Sequence, residues 1–286
     1  MRGCWVAALG LILASACGGT SPPKAEQPAQ GRDATIRVTD YAADTSALAL
    51  PVAVTGTESS ESVSSAGLPR LALVIDDLGF RRDRIQQLLA LGLTMTYAVL
   101  PAESRTPEVV AILQQARVPI IVHMPMQPRD YPRAQPGSCA LMLAEGSAWE
   151  STLHECASRV AGAQGMNNHM GSAFTEDSTG MVAVANYLRD RNWFFLDSVT
   201  SGRSVATEVM RAHGVAVLSR DVFLDDTRDE VQIASQLQKA FQHARKHGSA
   251  VAIGHPYPET IRALAAARDS GEFSNVELVA AGTLAR

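Results

Sequence analysis

From Leu71 onward the chain alternates between short apolar runs and longer amphipathic stretches. The runs are LALVI (71–75), MTYAVL (95–100), VPIIV (118–122), WFFL (193–196), VAVL (215–218) and AVAI (250–253). Each is continuous rather than alternating, which is the pattern of strands buried on both faces of a parallel sheet. The stretches between them carry helix punctuation. Thr106-Pro107 reads as an N-cap followed by proline at the first helical position. Ser147-Ala148-Trp149-Glu150 and Thr227-Arg228-Asp229-Glu230 read as capping boxes. Trp149, Leu153, Cys156 and Val160 form one apolar stripe at helical spacing, and Gly214 and Gly248 fall where helix C-caps belong. About seven βα units over residues 70–286 predict an α/β fold, an irregular (β/α) barrel. A doubly wound open sheet is the alternative. It is disfavoured because no G-x-G-x-x-G or P-loop follows the first strand.

The pattern upstream is different. Residues 1–16 read as an export signal: Arg2 supplies the positive charge and 5–16 (WVAALGLILASA) a twelve-residue apolar stretch. Spanning a bilayer as a helix takes about 20 residues, so this stretch is too short to be an anchor. Leu13-Ala14-Ser15-Ala16-Cys17 resembles a bacterial lipobox, in which the cysteine is lipidated and becomes the mature N-terminus. The other reading is an ordinary secretory signal that contains a cysteine. Gly18 rather than Asp after the cysteine points, by resemblance to lipoprotein sorting rules, to the outer membrane. Residues 18–70 include GGTSPPKAEQPAQGRDAT and TGTESSESVSSAGLP, whose composition favours a flexible tether. Between them, IRVTDYAADTSALALPVAV is apolar enough for a strand or two and is left open. The expected organisation is a signal peptide over 1–16, a lipidated cysteine and linker over 17–69, and the barrel over 70–286. The expected place is the cell envelope, facing the periplasm, with membrane attachment only through Cys17.

Composition changes this picture in three ways. With 46% hydrophobic and 19% charged residues the chain is globular rather than disordered. Its formal net charge of −4 gives no electrostatic footprint for nucleic acid. A domain of this length buries roughly 70–75% of its unfolded surface, so it folds without a metal or disulfide, and any metal is functional. There is no C-x-x-C, which excludes zinc-ribbon and cytosolic redox readings. Cys139 and Cys156 either pair, as an oxidising envelope permits, or stay apart as a loop thiol and a core residue.

Polar residues cluster where the apolar runs end. The runs or their flanks lead into Asp76-Asp77, His123, His169 (within GMNNHMGS), Asp197-Ser198 and His255. In a (β/α) barrel the C-terminal strand ends converge on one face, so these side chains share a rim. Together they have the composition of a metal site with acid and base partners. Paired carboxylates directly after a buried strand repel and call for a cation or a proton, although Asp76-Asp77 could also cap a helix. His169 is flanked by Asn167, Asn168 and Gly171, which reads as loop chemistry. His255, between Gly254 and Pro256, belongs to no core stripe. Asp197-Ser198 could simply cap the next helix. His154, His213, His243 and His247 read as surface residues. Asp221 and Asp225 suit a supporting role behind the site, but the helix cap near Thr227 explains Asp225 and Asp226 equally well.

The series LALVIDDLGF, YAVLP, IIVHMPMQP, GMNNHMGS, FFLDS, SRDVFLD and AIGHP resembles the divergent polysaccharide deacetylase family, relatives of the NodB-type carbohydrate esterases. The resemblance covers residues 71–280. It implies a distorted (β/α) barrel that removes N-acetyl groups from chitin-like or peptidoglycan-type glycans with a divalent metal, usually Zn2+. It implies Asp76 as the base, Asp77 as a metal ligand, His123 as the metal-binding histidine, His255 as the acid, and Asp197 as the residue orienting that acid. Two departures stand out. The relatives' second metal histidine is replaced by Gln127, and their Arg-containing motif by NNHMGS. His169 is expected to restore the missing ligand, giving Asp77, His123 and His169 around one metal with an open water position. The alternative is a catalytically silent envelope barrel that binds a glycan or a protein partner.

Overall fold

A computed structural model describes residues 67–285. The expected signal peptide, lipidated Cys17 and linker up to residue 66 lie outside the described residues. The elements run β1 (Arg70–Leu78), α1 (Arg82–Ala90), β2 (Thr96–Val99), α2 (Thr106–Ala116), β3 (Ile120–Met126), α3 (Trp149–Ala157) and β4 (Ala163–Met170). They continue through α4 (Ser178–Arg189), β5 (Phe194–Asp197), α5 (Ala206–Ala212), β6 (Val217–Ser219), β7 (Val222–Phe223), α6 (Glu230–His247), β8 (Ser249–Gly254), α7 (Pro258–Asp269) and β9 (Glu277–Leu278).

Every strand pair is parallel, in the order β6-β5-β4-β3-β2-β1-β8-β7, with β9 added beside β1. The two ends of this order, β6 and β7, are separated in sequence only by Arg220 and Asp221. The Arg220 amide donates to the Asp197 carbonyl on one side (3.0 Å), and the Asp221 amide to the Val251 carbonyl on the other (2.9 Å). The Asp221 carboxylate accepts the Val251 amide in return, at 2.8 Å. One bent segment therefore changes partners and curls the sheet into the irregular barrel of about seven staves that the sequence predicts.

Strand parity sorts the core into two clusters. Leu71, Leu73 and Ile75 of β1 pack outward under the helices, while Ala72 and Val74 face a second cluster with Ala98, Ile121, Phe194, Leu196, Val251 and Ile253. That inner cluster is closed at its N-terminal end by Ala281 and Leu284. All six apolar runs become strands. The flanks of His169 read as loop chemistry in the sequence, yet this residue lies on β4, a strand paired with β3 and β5.

The helix starts differ in detail. Arg105, not Thr106, precedes α2, and the Thr106 hydroxyl donates to the Leu100 carbonyl at 2.6 Å. Neither capping box forms as read. α3 has no side-chain cap, and the cap of α6 is Asp229, which accepts from the Gln232 amide at 2.9 Å. Gly248 does end α6 in the left-handed conformation. Among the four background histidines, His154 and His247 are exposed. His213 and His243 are partly buried, the latter 3.2 Å from Asp221.

Cys139 and Cys156 are joined in a disulfide, with Cα atoms 5.8 Å apart and a sequence separation of 17. Closing a loop of that size stabilises by about 3 kcal/mol through the unfolded chain. Cys139→Ser is expected to lower the melting temperature of the oxidised protein by roughly 5–10 °C. Thermal unfolding with and without reductant reads this; a reductant-insensitive wild-type transition contradicts it.

Candidate metal centre and active site

The inward parity of Ala72 and Val74 continues to Asp76, that of Ile121 to His123, and that of Val251 and Ile253 to His255. On β4, Asn167 and His169 share the face opposite the outward Met166. Asp77 follows Asp76 and by parity belongs outside. Its φ of 55° turns the chain back, so its carboxylate joins the others. Asp76, Asp77, His123, His169 and His255 line one cavity of about 380 Å³ together with Ser198, Val199, Arg220 and Phe223. A larger hollow of about 640 Å³ beside Gln164, Trp193 and Gly214 has no carboxylate or histidine in its lining.

Asp77 Oδ1 lies 2.9 Å from His169 Nδ1 and 3.2 Å from His123 Nε2, and the two histidine nitrogens are 3.2 Å apart. Ligand atoms at 2.0–2.1 Å around a tetrahedral ion are separated by roughly 3.3 Å. Although close to two nitrogens, Asp77 Oδ1 is buried and accepts no hydrogen bond among the described residues. An unpartnered buried carboxylate oxygen is costly unless a cation compensates it.

The ring orientation of His123 follows from its neighbours. The Asp76 carboxylate only accepts, so the Asn167 amide nitrogen faces it, donating to Oδ1 at 2.8 Å. The Asn167 oxygen then faces His123 Nδ1, also at 2.8 Å, which must carry the proton. This leaves the Nε2 lone pair aimed at the Asp77–His169 cluster, the outer-sphere arrangement that orients metal-binding imidazoles. The donor set of one carboxylate oxygen and two imidazole nitrogens thus fits a divalent ion, and Asp77, His123 and His169 together form such a group. Gln127 plays no part in it: its side-chain oxygen accepts the Leu143 amide at 2.8 Å.

Charge in the cluster follows the same geometry. Burial would raise the Asp77 carboxyl, but His123 and His169 hold it far below the ordinary carboxylate range. Burial pushes the Asp76 carboxyl upward, against the opposing pull of His123, His255 and Asn167. Burial alone would lower His255; the Asp225 carboxylate, with Asp76 and Asp77, raises it instead.

Asp197 does not orient His255. Its parity is that of Phe195, which packs outward, and its oxygens accept from the Val199 amide (2.8 Å) and the Ser204 hydroxyl (2.7 Å). The residue at His255 is Asp225, whose side chain is fully buried and accepts from His255 Nδ1 at 2.8 Å. Its other oxygen accepts from the His255 amide and the Thr260 hydroxyl, both at 2.6 Å. The imidazole is further held by the edge of Phe223 and by stacking on Tyr257, with ring centroids 5.5 and 5.2 Å away. Asp225 is thus not a helix cap. It takes the supporting role behind the site that its place after a strand suggests from the sequence.

Three non-glycine residues with positive φ line the cavity: Asp77 (55°), Met170 (53°) and Val199 (51°). Such conformations cost about 1–3 kcal/mol each and collect at functional sites.

A family model described as divergent polysaccharide deacetylase matches residues 73–285. The chain belongs to the divergent polysaccharide deacetylase family. Among its relatives, an uncharacterized protein of Haemophilus influenzae is 38% identical over 221 residues, covering 76% of this chain and 77% of that one. The uncharacterized protein YibQ of Escherichia coli is 36% identical over 195 residues, covering 68% of this chain and 61% of that one. A crystal structure of an uncharacterized protein from Agrobacterium tumefaciens shares the fold, with a TM-score of 0.72 at 22% identity, covering 77% of this chain and 91% of that one.

Proposed function

We propose that this protein is a metal-dependent hydrolase that removes N-acetyl groups from a polysaccharide or peptidoglycan-type glycan of the cell envelope. The observation that carries this reading is the gathering, in one cavity, of a three-ligand cluster with a buried carboxylate on one side and a carboxylate-backed histidine on the other.

Asp77, His123 and His169 would hold the ion, and the mixed imidazole–carboxylate set suits Zn2+. Zinc bound there supplies Lewis acidity and lowers the pKa of water toward about 7. Asp76 is the base. Its Oδ1 is occupied by Asn167, so Oδ2, 3.7 Å from His123 Nε2, receives the proton of the attacking water. His255 is the acid. Its Nδ1–H is engaged by Asp225, so Nε2, 3.7 Å from Asp77 Oδ2, gives its proton to the sugar nitrogen as the amide C–N bond breaks. Water oxygen ends on the acetate, and the glycan keeps a free amine.

Export of the chain, with an anchor at Cys17, belongs to the same proposal. The Cys139–Cys156 disulfide supports an oxidising compartment outside the cytoplasm.

The test is acetate release from N-acetylglucosamine oligomers and peptidoglycan fragments by the zinc-loaded protein. Release is expected, is expected to stop on chelation, and is expected to return with added Zn2+. Absence of acetate from all these glycans under zinc, manganese and cobalt overturns the reading.

A further inference from the structure

The cavity holds one group that the deacetylation scheme leaves unused. Arg220 sits at the bend between β6 and β7, half-buried, and lines the cavity with the metal-binding cluster. Its Nε donates to the Ser198 carbonyl at 2.8 Å and its Nη2 to the Val199 carbonyl at 3.1 Å. Its Cζ lies 5.0 Å from the centre of the Phe223 ring. A guanidinium has five N–H groups. Only two are engaged, and Nη1 has no hydrogen-bond partner among the described residues.

The carboxylates of Asp76, Asp197, Asp221 and Asp226 act on Arg220 only at longer range. Asp76 accepts from Asn167, Asp77 belongs to the ligand cluster, and Asp197 accepts from Val199 and Ser204. Among the described residues Arg220 makes no direct ion pair. The turn that holds it is costly to form: β-branched Val199 has a φ of 51°, and its amide and carbonyl are tied to Asp197 and Arg220 respectively. A desolvated, pre-oriented guanidinium with a free edge matches a carboxylate, which it can bind through two parallel hydrogen bonds.

We propose that Arg220 is a substrate-binding residue that selects N-acetylated sugars carrying a carboxylate near the acetamido group. This rests on the cavity being the deacetylation site, and it narrows the substrate class from acetylated glycans to acidic ones.

The test compares N-acetylglucosamine, N-acetylmuramic acid (the same sugar with a lactyl carboxylate) and the methyl ester of the latter. Binding to the zinc-loaded protein is measured by calorimetry, and acetate release is measured in parallel. The acid is expected to bind about tenfold or more tightly than the ester or the neutral sugar. Arg220→Met is expected to remove that preference through KM, and Arg220→Lys to keep part of it. Equal wild-type affinity for acid and ester overturns the proposal without any variant. Acetate release from the neutral sugar alone overturns it while leaving the deacetylase reading standing. No release from any of the three, together with tight binding of the acid, overturns the deacetylase reading and keeps the anion site.

Discussion

His123→Ala is expected to purify with less than about one-tenth of the zinc that the wild-type protein binds, because a two-ligand site forfeits most of its affinity. His123 contributes one nitrogen of the cluster, 3.2 Å from both Asp77 Oδ1 and His169 Nδ1. Asp77→Ala is expected to behave the same way. Asp76→Asn gives the contrast. The Asp76 carboxylate lies outside the ligand group, and its loss removes only the proton acceptor. That variant is expected to keep its metal and to lose acetate release by about 10²–10⁴-fold. Metal analysis of the dialysed proteins beside the acetate assay separates the two roles. Full zinc content in His123→Ala would overturn the ligand assignment, and zinc loss in Asp76→Asn would make that residue a ligand rather than the base.

Asp225→Asn is expected to lower kcat by about 10²–10⁴-fold with unchanged metal content. The His255 amide and the Thr260 hydroxyl both donate to Asp225 Oδ2, so in the variant the amide oxygen stays there. The new NH2 group then faces His255 Nδ1, which can no longer donate. The imidazole loses both its tautomer and the carboxylate that favours its charged form, and burial makes the neutral ring dominant. Asp197→Asn is expected to act on stability instead, by roughly 1–2 kcal/mol for the weakened contacts to Val199 and Ser204. Paired measurement of kcat and melting temperature decides between them. A large kcat loss in Asp197→Asn with a near-normal Asp225→Asn would restore the assignment read from the sequence.

Much of the site was legible along the chain. Continuous apolar runs reported strands buried on both faces, and a barrel brings the residues after them to one rim, so Asp76, Asp77, His123 and His255 were all identified. His169 was picked out to replace the histidine absent at Gln127, and the structure brings it to 2.9 Å from Asp77. Its strand was missed because Gln164, Asn167, Asn168 and His169 mask the apolar signal. At Thr106 the expected N-cap is lost because the hydroxyl donates to a tertiary acceptor, the Leu100 carbonyl.

The sequence by itself determined the alternation of strands and helices, the family, and the set of chemical groups at the strand ends. Those depend on residue type and spacing, which the chain displays directly. The tertiary structure alone decided which face each side chain takes. A strand alternates faces at every residue, so Asp197 and Asp225, both at strand ends, differ in role only because one shares the outward parity of Phe195 and the other the inward parity of Phe223. The same logic placed Asp77 in the cluster through a single left-handed backbone step. Arg220 reached the cavity because two residues of one bend join the edges of the sheet. Which face is inside is set by how the sheet curls and closes, a property of the whole chain that no local pattern records.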